Sequence, residues 1–136
     1  MQTVTFDTNV YISALNFSRG KPKQLLQLAM DGVVHVAISD AIMQEVRRVM
    51  REKFHMTPED LQEAEAIISA CTERVIPTEV LDVVKDDPDD NRIVECAVAF
   101  GSDCIVTGDN DLLRLGEYAG IKMIKVSDFL QRGQER

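Results

Sequence analysis

The sequence predicts an α/β fold in which a mostly parallel sheet carries helices on both faces. Three observations point to it. Short strand-like runs such as "VVHVAIS" and "DCIVT" alternate with segments of helical period along the chain. A length of 136 residues, 45% of them apolar, supplies one ordinary core and is too short for two domains of typical size. No repeat, low-complexity tract or long linker interrupts the alternation.

The first strand is expected at Thr3–Phe6, followed by a short helix over Thr8–Leu15 and another over Lys21–Met30. Val33–Ser39 reads as the second strand, and Ser39 as the cap of a helix running toward Phe54. "TPED" at Thr57–Asp60 combines a Thr cap, Pro at the first position and an acid three residues after the cap. The helix it opens repeats Leu61, Ala64, Ile67, Ile68 and Cys71 on one face. The segment 74–84 is expected to be a short strand and a linker. "RIVECAVAF" reads as a helix with Asp87 as cap and Pro88 at its first position, Asp103–Thr107 as a buried strand, and "KMIKV" as the last strand. "SDFLQ" reads as a closing helical turn. The domain is expected to span 1–132, with a frayed tail in "QRGQER" and residues 133–136 outside the domain.

Charge and cysteine usage narrow the function. With 23 acidic and 15 basic residues the formal net charge is −8, which weakens non-specific attraction to nucleic acid. A polyanionic substrate would need metal ions or a local basic patch. Cys71, Cys96 and Cys104 have neither CxxC spacing nor an even count, so zinc and a disulfide framework are not suggested. The start "MQTVTFDTN" lacks the regions of a signal peptide and no apolar stretch reaches bilayer length, so the expectation is a soluble, cytoplasmic protein without membrane contact.

The acidic residues carry the chemistry. Asp7 in "FDTNVY" follows the first strand and Asp109 in "TGDND" follows "CIVT", placing both at carboxyl ends of strands, the edge where open parallel sheets bind ligands. Asp7 has two readings, a helix cap or a group that holds something positive. Glu45 falls beside the buried stripe of Ile42, Val46 and Val49, apart from a face bearing Arg47, Arg48 and Arg51. Asp90 continues the stripe of Ile93, Ala97 and Phe100, whereas Asp87 and Asp89 are explained by a helix start that complements the dipole. Converging carboxylates repel unless cations neutralise them, and an all-oxygen set suits Mg²⁺ or Mn²⁺. His35, inside a strand, and His55, at a helix end, accompany none of these acids and read as structural.

The ordered set "DTNVYISAL", Glu45 after a capping Ser39, "DPDDNRIVECA" and "VTGDNDLL" resembles the PIN-domain ribonucleases, in particular the VapC-like toxins of prokaryotic toxin–antitoxin pairs, over nearly the whole chain. The resemblance implies a three-layer α/β/α fold with a central, mostly parallel twisted sheet. It also implies a Mg²⁺- or Mn²⁺-dependent ribonuclease that leaves a 5′ phosphate and a 3′ hydroxyl. By motif, Asp7, Glu45, Asp90 and Asp109 would be the catalytic and metal-holding acids, Asp111 a further metal candidate, and Asn9, Thr107 and Ser13 polar supports. The partners implied are an RNA substrate, a small antitoxin protein and a second copy in a homodimer.

Arg19, Lys21 and Lys23 in "SRGKPK", with Arg92 and Arg114 near the acidic motifs, could form an RNA-binding rim or be ordinary solvated charge. "RRVMREK" carries the same two readings. Few aromatics are available to stack on bases. Two other classes stand beside the nuclease. "DTNV" resembles the nucleophile motif of haloacid-dehalogenase-like phosphatases, but Asn9 occupies the position of the second Asp there. A non-catalytic PIN module that binds a protein or RNA partner is the other.

Overall fold

The computed structural model describes residues 2–16 and 20–134, the side chains of 133 and 134 excepted. Six strands form one sheet: β1 (Gln2–Phe6), β2 (Val34–Ile38), β3 (Glu73–Arg74), β4 (Cys104–Val106), β5 (Glu117–Tyr118) and β6 (Ile121–Ile124). Their order is β3-β2-β1-β4-β6-β5, and every pairing is parallel except β5 with β6. The chain works outward from β1 through β2 to β3, then returns to place β4 on the other side of β1. That reversal opens a crevice beyond the carboxyl ends of β1 and β4, where Phe6 is in register with Val106.

Seven helices complete the described residues: α1 (Thr8–Asn16), α2 (Lys21–Met30), α3 (Asp40–Glu52), α4 (Pro58–Cys71), α5 (Asp90–Phe100), α6 (Asn110–Leu115) and α7 (Val126–Gln134). The α3 face of Ile42, Met43, Val46, Val49 and Met50 is buried, and α5 buries Ile93, Val94, Cys96 and Ala97. The strands between them are nearly solvent-free at Val4, Phe6, Val36, Ile38, Ile105 and Val106, and the Phe6 ring packs against Tyr11 with centroids 5.5 Å apart. Both expected caps form: the Ser39 side chain accepts from the Ile42 N–H and the Thr57 side chain from the Asp60 N–H. No helix of the described residues is long and apolar enough to cross a membrane.

Two boundaries and two short elements stand out against expectation. Regular α5 begins at Asp90, because N–H groups of Asp90, Asn91 and Arg92 bond three residues back, to the carbonyls of Asp87, Pro88 and Asp89, forming a tight turn first. Asp87 caps this turn through the Asp89 N–H at 3.2 Å. The unforeseen α6 has six residues and buries only Leu112, too short for a period to register. The unforeseen β5 joins β6 through Ala119 and Gly120, both at positive φ, the signature of a tight hairpin turn. The final helix runs through Gln134, three residues past the expected closing turn.

The extended segment 75–84 is tied to α5 by side chains. Buried Asn91 accepts from the Val83 and Val84 N–H groups at 2.8 and 2.9 Å and donates to the Val84 and Pro88 carbonyls, both at 3.1 Å. Glu95 accepts from the Leu81 N–H at 2.7 Å. Asn91→Ala strands buried backbone groups and should lower unfolding stability by roughly 2–4 kcal/mol, measurable by urea denaturation. A change below about 0.5 kcal/mol, the scale of an ordinary surface substitution, would mean that Asn91 does not anchor the segment.

Candidate metal centre

The backbone delivers the first acid. The Asp7 N–H extends the β1–β4 ladder by bonding the Val106 carbonyl at 3.0 Å, and its carboxylate then sits, almost fully buried, at the head of α1. One oxygen accepts from the Asn9 N–H at 3.3 Å and the other from the Thr107 hydroxyl at 2.7 Å. Asp7 is therefore a cap, as one of its two readings required, and also part of a cleft. Burial raises its pKa, opposed by the bonds from Thr107 and Asn9.

Thr107 joins two strand ends. Its buried hydroxyl donates to Asp7 and accepts from the Asp109 N–H at 2.9 Å. Asp109 in turn caps α6 by accepting from the Asp111 N–H at 2.7 Å. One hydroxyl thus links two acids that follow adjacent strands.

Asp7, Glu45, Asp90 and Asp109 line one cleft of about 190 Å³, together with Asp87, Asp89 and the apolar Ile42 and Ile93. Arg92 is its one basic lining residue among those described. Asp90 is 6% exposed, and its Oδ2 is buried with no hydrogen-bond partner. Burial, then the charges of Asp109, Asp87 and Asp7, push its carboxyl up to about 8. Asp87 is raised in the same direction, by burial and then by Asp109, Asp89 and Asp111. Asp87, Asp90 and Asp109 of the cleft lining and the neighbouring Asp111 each offer an oxygen, all within 4.8 Å of one another.

Glu45 stands apart from that group. It lines the cleft, but its carboxylate is held by the Arg48 guanidinium at 2.6 and 3.2 Å, and Arg48 also reaches Glu52 at 3.0 Å. The separation of Glu45 from an arginine face containing Arg48 does not hold. Arg47 does point elsewhere, pairing with Glu65 on α4.

The remaining sequence candidates divide. Asn9 is exposed on the cleft lining and contributes its backbone N–H to Asp7, whereas Ser13 is half-buried on α1 and does not line the cleft. Lys21 is exposed at the start of α2, and Arg19 lies outside the described residues. Arg92 lines the cleft but spends its guanidinium on Glu95 at 2.8 Å and the Leu81 carbonyl at 3.3 Å. Arg114 bridges Asp86 and Asp111 at 3.3 and 3.1 Å. His35 bonds Glu73 at 3.1 Å, and no histidine or cysteine lines the cleft among the described residues. Asp87 was not singled out beyond its capping role, although "DDPDD" was the signal that could have found it.

This donor set fits a hard divalent cation. It is all-oxygen and negatively charged, and the orphaned Asp90 Oδ2 has no protein donor to replace the water lost on burial. Comparison with known proteins agrees in fold. The model of the PIN domain family matches residues 3–111. A chain in the crystal structure of VapBC2 from Rickettsia felis, bound to a DNA fragment from their promoter, superposes with a TM-score of 0.63 at 15% identity, covering 91% of this chain and 98% of that one. No curated protein matches by sequence.

Proposed function

Because this chain belongs to the PIN-domain family, we propose that it is a Mg²⁺- or Mn²⁺-dependent ribonuclease, acting as the toxin of a prokaryotic toxin–antitoxin pair. The observation that carries the reading is Asp90: a buried carboxylate oxygen with no partner, in a cleft with Asp7, Asp109 and Glu45. Those four acids would hold the ion, with Asp111 beside them. A divalent ion supplies Lewis-acid polarisation of a phosphodiester, a water of lowered pKa and charge stabilisation of the leaving 3′ oxygen.

The chain's own residues do the rest. Thr107 fixes Asp7 and Asp109 relative to each other, and Asn9 holds Asp7 through its N–H. RNA approaching an acidic cleft needs cations at the rim, for which Arg19, Lys21, Arg92 and Arg114 are the candidates. The VapBC2 likeness supports a small antitoxin partner, and a homodimer follows from the same reading. A cytoplasmic location belongs with this proposal.

EDTA should abolish cleavage of single-stranded or structured RNA, and Mn²⁺ or Mg²⁺ should restore it. Cleavage persisting in excess chelator would sink the mechanism. A second reading, a non-catalytic module that binds a protein or RNA, is favoured by one feature: the guanidiniums of Arg92 and Arg114 are both bonded to acids. Tight partner binding without cleavage under any divalent metal would identify it.

A further inference from the structure

We infer that the outer edge of β3, continued by residues 76–80, docks a second copy of this chain, which pairs with it as an antiparallel strand centred on Thr78. Such pairing requires no catalytic role of the chain, so its absence would leave the nuclease reading standing.

The backbone comes first. β3 is the last strand on its side of the sheet. The Val75 N–H bonds the Ile38 carbonyl of β2 at 2.9 Å, so Val75 faces inward and its neighbours Arg74 and Ile76 turn their backbone groups outward. In the extended run that follows, the same alternation places Thr78 and Val80 on the outer edge. Pro77, which has no N–H, falls on the inner side and does not blunt that edge. Among the described residues no acceptor reaches the N–H of Ile76, Thr78 or Val80. The run is also held at both ends, by Val75 on β2 and by the Leu81 N–H on Glu95 at 2.7 Å, so the edge is presented preformed.

The side chains say what covers it. Ile76, Thr78 and Val80 are all β-branched, a type that suits strands, and they share one face. Ile76 is 81% and Val80 91% exposed, whereas the intervening Val75, Pro77 and Leu81 are half-buried. This pattern is its own complement. With Thr78 on a two-fold axis, Ile76 lies opposite Val80 of the second copy, Val75 opposite Leu81, and Arg74 opposite Asp82. Glu79 meets Pro77 and Glu73 meets Val83, so no like charges face each other. Moving the axis to Pro77 sets Ile76 against Thr78, and moving it to Glu79 sets that glutamate against itself and Ile76 against Asp82. In the single chain Arg74 bonds Asp40, and Asp82 bonds Lys85 at 2.7 Å; both pairs are exposed and weak enough to exchange.

Analytical ultracentrifugation of the full chain should give a dimer. Ile76→Lys and Val80→Lys each set an ammonium against the apolar residue opposite and should raise the dimer dissociation constant at least tenfold. Far-ultraviolet circular dichroism should stay as in wild type, since both positions are exposed in the single chain. A cysteine at the axis tests the register. Cα atoms of a hydrogen-bonded antiparallel pair lie about 5.5 Å apart, inside the range of about 4.4–6.8 Å that a disulfide spans. Mild oxidation should therefore link Thr78→Cys into a covalent dimer. Val80→Cys, on the same edge but opposite Ile76, should stay unlinked, as should wild type with its native Cys71, Cys96 and Cys104. A dimer as tight in either lysine variant as in wild type, or equal linkage of Thr78→Cys and Val80→Cys, overturns the inference. A monomeric wild type also overturns it and leaves the edge to a strand from a different protein.

Discussion

Asp90→Asn is expected to abolish metal-dependent RNA cleavage and, in metal-free buffer at pH 8, to raise the melting temperature above wild type. The two effects have one cause. Burial and the charges of Asp109, Asp87 and Asp7 push the Asp90 carboxyl up to about 8, so the folded protein without metal holds a proton that the unfolded chain releases near an ordinary carboxylate value of about 3.9. A raised carboxyl favours the folded state fully only below the unfolded value, and that contribution is lost as pH rises through the folded one. Wild type in EDTA should therefore melt at progressively lower temperature from pH 4 to pH 8. The asparagine variant has no such proton to lose and should show a shallower slope.

Adding Mn²⁺ should reverse the wild-type trend, because ligation requires the carboxylate and so strengthens as pH rises through about 8. For catalysis, losing one charged ligand removes several kcal/mol of transition-state stabilisation, which converts to about 10²–10³-fold or more in rate. Scanning calorimetry at pH 5 and pH 8 separates the outcomes. A variant that melts below wild type at pH 8 would mean that the Asp90 anion makes a stabilising contact within the protein, which its unpartnered Oδ2 argues against.

What the sequence revealed of this architecture follows a physical division. Elements with local signals were legible: α2 has its expected ends, and Ser39 and Thr57 cap where their spacing to the next apolar stripe required. The acids at strand ends were legible for the same reason, since a parallel sheet directs its carboxyl edge toward ligands. Features made by distant partners were not. Asn91 reads as one more polar residue at a helix start until the segment at Val83 and Val84 folds onto it. The place of Asp87 in the acidic cluster was hidden because its capping bond already accounts for an acid at that position. The Glu45–Arg48 pair was missed by treating faces as rigid: residues three apart on a helix are neighbours, and long side chains meet across the nominal boundary.

That pair makes Glu45→Gln the most discriminating variant of the cleft. Glu45 is the one acid of the motif set carried by the middle of a helix, and in this structure its carboxylate faces a guanidinium instead of the converging aspartates. If it completes the site, glutamine should cut turnover by about 10²–10³-fold, because a neutral amide binds a hard cation weakly and does not offset its charge. The fold should survive, since the Arg48 pair is solvent-exposed and pairs of that kind contribute little to stability. Glu52→Gln is the matched control. It removes the other carboxylate on Arg48, bonded at 3.0 Å, and so disturbs the same guanidinium while leaving the cleft acid in place. Wild-type turnover in Glu52→Gln with loss in Glu45→Gln assigns the effect to the Glu45 carboxylate. Equal losses in both would transfer the role to Arg48, and full activity in both at saturating metal would remove Glu45 from the site, leaving Asp7, Asp90 and Asp109 as the matching acids.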